Sequence, residues 1–502
     1  MDIQEKEDIQ TQHKEGAVGT FIDDRDEYEH LLTKFDATRQ KKLLRKIDWR
    51  LLPVLTIFYL VSFMDRSNIG NARLQGLEAD LHLTPGQFNW CLTIFFIPYG
   101  LFEVPSNLIL KFTKPSIWLP AIMTAWGVVM MCSGWTQNYS GMLAARFFLG
   151  VAEAGLFPGA TYLCTTWYLR YEQHFRVALF YTAASLAGSF SGLLAYGIGF
   201  MDGIRGYSGW RWIFILEGLL TIIVALVSIF FICDTPADAK WLTEEERRFI
   251  ILRLQFDGHE RGYTEPEFKM KYLVQAFTDM KVYLGCIMFF TISTGTYSLS
   301  YSLPTTINLL GYTAANAQLL TIPIYAFACI MCILNAIIAD KIAKRFQAIV
   351  IPYFIGLAGV IICLVVHPEE KPGVIYFAMF LVASGLFPTT PAIVCWISNN
   401  VAGQWKRSIG MALEFTLGNL IGGVVGSNIF LARESPSFRT AYLVLASFFS
   451  VGIVTSTTQL WLLTSANRKK ERLIEATPLE DQERLDMEWK DEGDKSPFFR
   501  RL

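Results

Sequence analysis

Residues 146–176 read RFFLGVAEAGLFPGATYLCTTWYLRYEQHFR, an apolar stretch of membrane-spanning length with Arg146 at its start and Glu153 in its middle. A helix of roughly 20 apolar residues covers the ~30 Å of bilayer hydrocarbon. Charges within such a run are costly and face a partner or a water-filled path. Glycines stand at 150, 155 and 159, and charged residues return from Arg170 to Arg176. Moved 230 residues along the chain, the pattern recurs: Ala154-Gly155-Leu156-Phe157-Pro158 becomes Ser384-Gly385-Leu386-Phe387-Pro388. Trp167 falls near Trp396, Arg176 near Arg407, Gly188 on Gly418 and Gly192 on Gly422. The chain reads as two divergent copies of one lipid-embedded unit.

The bulk figures agree. Of 502 residues, 52% are hydrophobic and 18% charged, against about a quarter charged in soluble domains. A large soluble enzyme buries apolar residues too, but it does not repeat runs of spanning length. The nine cysteines lie mainly in apolar runs and read as small buried hydrophobes. There is no GxxxxGK[ST], HExxH or GxSxG sequence, which argues against ATP-driven transport and against metal- or serine-dependent hydrolysis. Neither a cofactor nor a nucleic-acid partner is expected, because the basic residues are split between loops.

Only helices and closed barrels satisfy their backbone in lipid, and runs this long demand helices. The fold class is therefore an all-α polytopic membrane protein with 12 transmembrane helices in two six-helix pseudo-repeats. The expected divisions are a tail over 1–44, a first bundle over 45–232, a polar central segment over 233–280, a second bundle over 281–463 and a tail over 464–502. The fourth and tenth spans are drawn at 142–168 and 373–397. In the central segment, Thr243 followed by three glutamates reads as a helix start. Lysine and arginine crowd the loops on the side of the termini, including Lys41, Lys46, Lys111, Arg176, Lys341 and Arg345. By the positive-inside rule both termini are cytosolic. Residues 1–40 are polar and acidic-rich, with no apolar segment of a cleavable signal.

The charges within spans are the candidate site. Arg146 is a fixed cation that anchors a carboxylate and does not carry protons. Glu153 lies two turns further on the same face. Together they either couple an anion to a proton or simply tie helices together. Arg66, at the far end of the first span, is the preferred direct contact for an anion, and Asp65 beside it is a candidate for proton coupling; the other reading is an interfacial pair. Glu414, among Gly410, Gly418 and Gly422, is either a proton site or a helix tie. Glu103 is expected to turn toward the other half, and Glu217 to be structural or functional alike. Tyr59, Tyr99, Tyr301 and Trp396 are candidates to sandwich a planar or apolar solute. Pro158 and Pro388 each remove a helix hydrogen bond at matching positions and are expected to bend both helices. Such paired bends suit two halves rocking about a central site.

Taken together, these residues resemble the major facilitator superfamily, and within it the fungal anion:cation symporters related to allantoate permease. The resemblance covers about residues 45–465. It rests on Phe63-Met64-Asp65-Arg66-Ser67-Asn68-Ile69-Gly70-Asn71-Ala72, Pro98-Tyr99-Gly100-Leu101-Phe102-Glu103-Val104-Pro105, Arg146 through Pro158, and Gly209-Trp210-Arg211-Trp212. It implies the major facilitator fold and proton-linked uptake of small organic anions such as allantoate, nicotinate, pantothenate or dipeptides. The family's inner loop between spans two and three carries an acid followed by bases. Here the first half keeps Lys111 and Lys114 without the acid, while the second half has Asp340-Lys341 with Arg345. A gate between the halves is therefore expected from Lys111, Asp340, Lys341 and Arg345, with Glu103 or Glu172 replacing the missing acid. The expectation is a monomeric plasma-membrane symporter whose partners are an organic anion, protons and the bilayer. The rivals are an exporter of weak acids on the same fold and a nutrient sensor that barely transports.

Overall fold

The computed structural model describes residues 26–257, 270–342, 344–401 and 404–478. After a short helix over 26–34, α1 (Ala37–Leu74) starts at Asp36, whose side chain accepts the Arg39 amide at 2.8 Å. The helix then runs unbroken through the membrane segment. Helix α2 (Pro85–Phe112) opens with a Thr84/Gln87 capping box and a proline in its first turn, and Pro115 likewise starts α3 (Pro115–Ser133). These are followed by α4 (Tyr139–Glu153), α5 (Leu156–Trp167), α6 (Arg170–Gly199) and α7 (Gly209–Ser228). The second lobe holds α10 (Met280–Leu309), α11 (Ala314–Ile342), α12 (Arg345–Val365), α13 (Pro372–Leu386), α14 (Thr389–Asn400), α15 (Gln404–Gly426) and α16 (Arg439–Ala476). Between the lobes lie α8 (Glu244–Asp257) and α9 (Met270–Phe277).

The protein is an all-α, multi-pass membrane protein in two helical lobes. Among the described residues, ten helical stretches are long and apolar enough to cross a bilayer. Packing partners recur between the lobes. In the first, α1 packs on α6 and α7, α3 on α4 and α7, and α2 on α4. In the second, α10 packs on α15 and α16, α12 on α13 and α16, and α11 on α13. The lobes meet where α6 lies on α11, α2 on α15 and α1 beside α10.

The fourth span, expected over 142–168 with a bend at Pro158, breaks outright at Ala154 and Gly155, a turn before that proline. A proline ring collides with the carbonyl four residues earlier, and for Pro158 that residue is Ala154. The counterpart breaks between Leu386 and Thr389, with Pro388 itself at the start of α14. Helix is also longer than expected at both ends of the chain. Helix α1 begins inside the segment read as a tail, and α16 runs on to Ala476. In the central segment, Thr243 and Glu246 cap α8 reciprocally. Helix α8 folds back on the amino-terminal helices: Phe249 stacks on Phe35 at 4.3 Å, and Lys46 pairs with Glu246 at 2.6 Å. Burial alone would raise the Glu246 carboxyl, but the Lys46 ammonium and the Thr243 cap outweigh it and hold it low.

Glycine decides how closely α4 approaches α2. A Cβ on Gly150 would land on the Phe95 carbonyl oxygen and lie 2.9 Å from the Pro98 ring. Backbones close to this distance only when one partner lacks a side chain. Gly150→Val is expected to destabilise the first lobe by about 1–3 kcal/mol, read as a lower thermal unfolding midpoint of the purified protein in detergent. An unchanged midpoint would mean that α2 and α4 do not hold this spacing.

Candidate functional site

The centre of the molecule is built from one turn of α1. Ser62 and Arg66 stand four residues apart and therefore on one face. Arg66, 4% exposed, sends Nη2 to Glu153 Oε1 at 2.5 Å and Nη1 to the Tyr297 hydroxyl at 2.8 Å. Ser62 Oγ donates to the same Glu153 oxygen. The Tyr297 hydroxyl in turn donates to Asn419 Oδ1 at 2.9 Å. A single chain, Glu153–Arg66–Tyr297–Asn419, thus crosses from the first lobe to α10 and α15 of the second. It is not saturated: Arg66 Nε and Glu153 Oε2 are buried without a partner. The guanidinium also lies 4.9–5.6 Å from the ring centroids of Phe63, Phe95, Tyr99 and Tyr297. Each ring face favours a cation.

A cavity of about 20 Å³ opens beside this chain, with Tyr59, Arg66 and Tyr99 from the first lobe and Ser293, Tyr297 and Asn419 from the second on its walls. That is room for about one water, far below the several hundred Å³ of a small-molecule pocket. The site is therefore closed around Arg66. On the side of the chain termini it is plugged by rings: Phe415 lies 4.5 Å from Phe157 and 5.1 Å from Phe289. Phe157 directly precedes Pro158, so the helix break carries one face of the plug. At the opposite end, a separate cavity of about 270 Å³ lies between Gln75, Tyr196, Phe200 and Asp202 of the first lobe and Ala314, Ala315 and Gln318 of the second.

Several expected site residues are placed elsewhere. Glu153 is paired with Arg66 and not with Arg146. Arg146 sits about 10 Å further along the helix axis, with its guanidinium 5.8 Å over the Phe214 ring and off the cavity wall. Asp65 turns away from Arg66, as a helical step of 100° requires, and accepts from Trp126 Nε1 at 3.0 Å and Thr221 Oγ1 at 2.8 Å. Close by, Asn68 Nδ2 donates to Glu217 Oε2, and Ser191 Oγ donates to Asn68 Oδ1 at 2.8 Å. Among the described residues the first lobe thus buries Asp65, Glu103, Glu153 and Glu217 against Arg66, Arg146 and Arg176. Trp396 is wholly buried inside the second lobe, 6.3 Å from Phe346, and lines neither cavity. Tyr301 stacks 6.5 Å from Tyr297, one turn beyond the cavity. Glu414 is fully buried in α15 with neither carboxyl oxygen bonded, also off the wall.

The expected gate is only partly in view. Lys341 lies in the last turn of α11 and Arg345 begins α12, whereas the side chains of Lys111 and Asp340 lie outside the described residues. Neither acid offered for the missing one fills that place. Glu172 pairs with Arg253 of α8 at 2.5 Å, and Glu103 accepts from Thr416 Oγ1 at 3.1 Å, near mid-span. That last bond does join the two lobes. Ser62, Ser293, Phe415 and Asn419 were missed by sequence reasoning. For Ser293 the signal was available: Phe289, Ser293, Thr296 and Tyr297 recur at i, i+4, i+7 and i+8 along an apolar helix, the spacing of one face.

Comparison with known proteins agrees with this geometry. The Major Facilitator Superfamily matches over residues 55–427. The MFS-type transporter cnsO of Penicillium expansum is 37% identical over 98% of this chain and 97% of its own length. The high-affinity nicotinic acid transporter of Saccharomyces cerevisiae is 29% identical over 92% of this chain and 84% of its own. Among solved structures, a bacterial homologue of the human lysosomal transporter Spinster, inward-facing and unoccupied, superposes with a TM-score of 0.61 at 15% identity. It covers 82% of this chain and 95% of that one, and this likeness concerns the fold alone. The chain belongs to the major facilitator superfamily, as a transporter of small molecules by alternating access and not an enzyme.

Proposed function

We propose that the protein is a proton-coupled symporter that imports a small organic anion, a carboxylate of the nicotinate, pantothenate, allantoate or dipeptide kind. The observation that carries the reading is the single buried arginine shared between Glu153 and the second lobe. An entering carboxylate competes with Glu153 for Arg66. Two anions on one buried cation leave a net charge that low-dielectric surroundings penalise heavily. The penalty vanishes when Glu153 takes a proton, and its unbonded Oε2 is the place for it. Solute and proton thus enter together, and closure over the neutralised pair lets the lobes rock. The Phe157–Phe415 plug then parts on the side of the termini. A relative named for nicotinic acid transport supports an aromatic carboxylate as the first solute to try.

The same reading makes α2 and α6 membrane-crossing as well, at 28 and 30 residues. That gives twelve spans in two repeats, with both termini cytosolic, in a monomer of the plasma membrane and in the allantoate-permease branch of the superfamily. Uptake of labelled nicotinate and related acids into cells lacking their own route tests it. Accumulation is expected to fall as external pH rises and to stop when the proton gradient is collapsed. Accumulation indifferent to both would end the coupling claim, and reconstituted vesicles with the gradient imposed in each direction separate import from export.

A further inference from the structure

The 270 Å³ cavity at the end away from the termini has the chemistry of an anion site. Its second-lobe wall is the first turn of α11, a helix of 29 residues. Thr313 caps that turn, accepting Asn316 N at its Oγ1 (3.3 Å) and Ala317 N at its carbonyl (2.8 Å). The N–H groups of Ala314 and Ala315, two residues earlier each, are left over by the helix and point out of its positive end. Both residues line the cavity. Gln318, one turn on, lines it too; it is 2% exposed, and its Nε2 is buried with no hydrogen-bond acceptor. A helix N-terminus and an unused buried donor on one wall are complementary to a carboxylate.

The facing wall belongs to the first lobe. Gln75 closes α1 and bonds through Nε2 to the Ala195 carbonyl at 2.8 Å, with Oε1 unpartnered. Tyr196 and Phe200 supply rings, and Asp202 supplies the one charged side chain on the wall. One Asp202 oxygen accepts the Gly209 amide at 2.7 Å, which partly occupies that acid. Gln75 lies nine residues beyond Arg66, about 13 Å along the helix. The vestibule is therefore a separate station on the route to the central cation.

We infer that this vestibule is a capture site for the carboxylate of an aromatic acid, held by the α11 N-terminus and Gln318 before it is passed to Arg66. The inference rests on the carboxylate reading of the transported solute. Binding here is weaker than at Arg66, because N–H dipoles replace a full charge and Asp202 opposes it. Such weakness suits a station that must release inward.

Equilibrium binding of labelled nicotinate to the full-length protein in nanodiscs is the test. The double variant Arg66→Gln/Glu153→Gln removes the central charge pair, leaving the vestibule. It is expected to retain weak nicotinate binding and to bind nicotinamide less well. Adding Gln318→Ala weakens the remaining binding roughly tenfold, the loss of one hydrogen bond to a charged group. Adding Asp202→Asn instead strengthens it, by about threefold if the screened repulsion is a few tenths of a kcal/mol to 1 kcal/mol. Gln318 makes no side-chain bond through Nε2 that the variant would break, and unfolding midpoints confirm the fold. Loss of all nicotinate binding in the double variant, residual binding indifferent to Gln318, or equal binding of nicotinamide would each overturn the capture site. Wild-type protein that binds nicotinate in the vestibule but never transports an organic acid would sink the transport reading, and the capture role with it, while the binding site itself remained.

Discussion

Arg66→Lys is expected to lower carboxylate uptake about 100-fold, the equivalent of two charged hydrogen bonds lost at once. The charge survives in lysine, but the planar fork does not. A compact ammonium cannot reach Glu153 and the Tyr297 hydroxyl in the same plane, nor lie flat among four rings. Arg66→Gln goes further and leaves Glu153 buried with only Ser62 beside it. Breaking a buried pair from one side costs about 3–5 kcal/mol. Arg66→Gln/Glu153→Gln, which removes both charges, is expected to recover most of that loss in unfolding midpoint while remaining inactive in transport. The cycle of single and double variants isolates the coupling between the two residues. If Arg66→Lys transports at the wild-type rate, the solute is not held by this arginine.

The repeat near residue 154 and its copy near 384 made the architecture legible, because lipid leaves the chain so few options. Helix existence followed from apolar length, and the paired breaks followed from Pro158 and Pro388. What sequence missed was which face each helix turns inward. Arg146 and Glu153 share a helix face, and on the chain alone they look like partners. In space the nearer cation for Glu153 comes from α1, 87 residues away in sequence. Trp396 failed for a similar reason. An aromatic on a helix beside the path is a candidate on paper, yet α14 buries that ring inside its own lobe. The closing aromatic plug was beyond reach as well, since Phe157 and Phe415 come from opposite lobes and meet only through tertiary packing. Asp65 misled in the same way: offered as a proton-coupling residue beside Arg66, it turns off the cavity face to Trp126 and Thr221, because adjacent helical residues cannot share a face.

Glu153→Gln separates proton coupling from solute binding. Glutamine keeps the size and a hydrogen-bond acceptor for Arg66 and Ser62, but it has no proton to exchange at any physiological pH. With Glu153 neutralised permanently, Arg66 no longer has a competing anion and holds a carboxylate more tightly. The variant is therefore expected to bind nicotinate at least as well as wild type and to catalyse exchange of labelled for unlabelled solute across vesicle membranes. Concentrative uptake is expected to be abolished, because nothing links the gradient to the solute. The pH dependence of the exchange rate flattens with it. The neighbouring acids that would have to substitute, Asp65 and Glu217, are both buried in the same lobe. Each, however, already accepts from Thr221, Trp126 or Asn68 away from the cavity wall, and neither touches Arg66. Concentrative, pH-driven uptake persisting in Glu153→Gln would move the proton to one of those two. Loss of exchange together with accumulation would make Glu153 a structural partner of Arg66 and not its proton-controlled competitor.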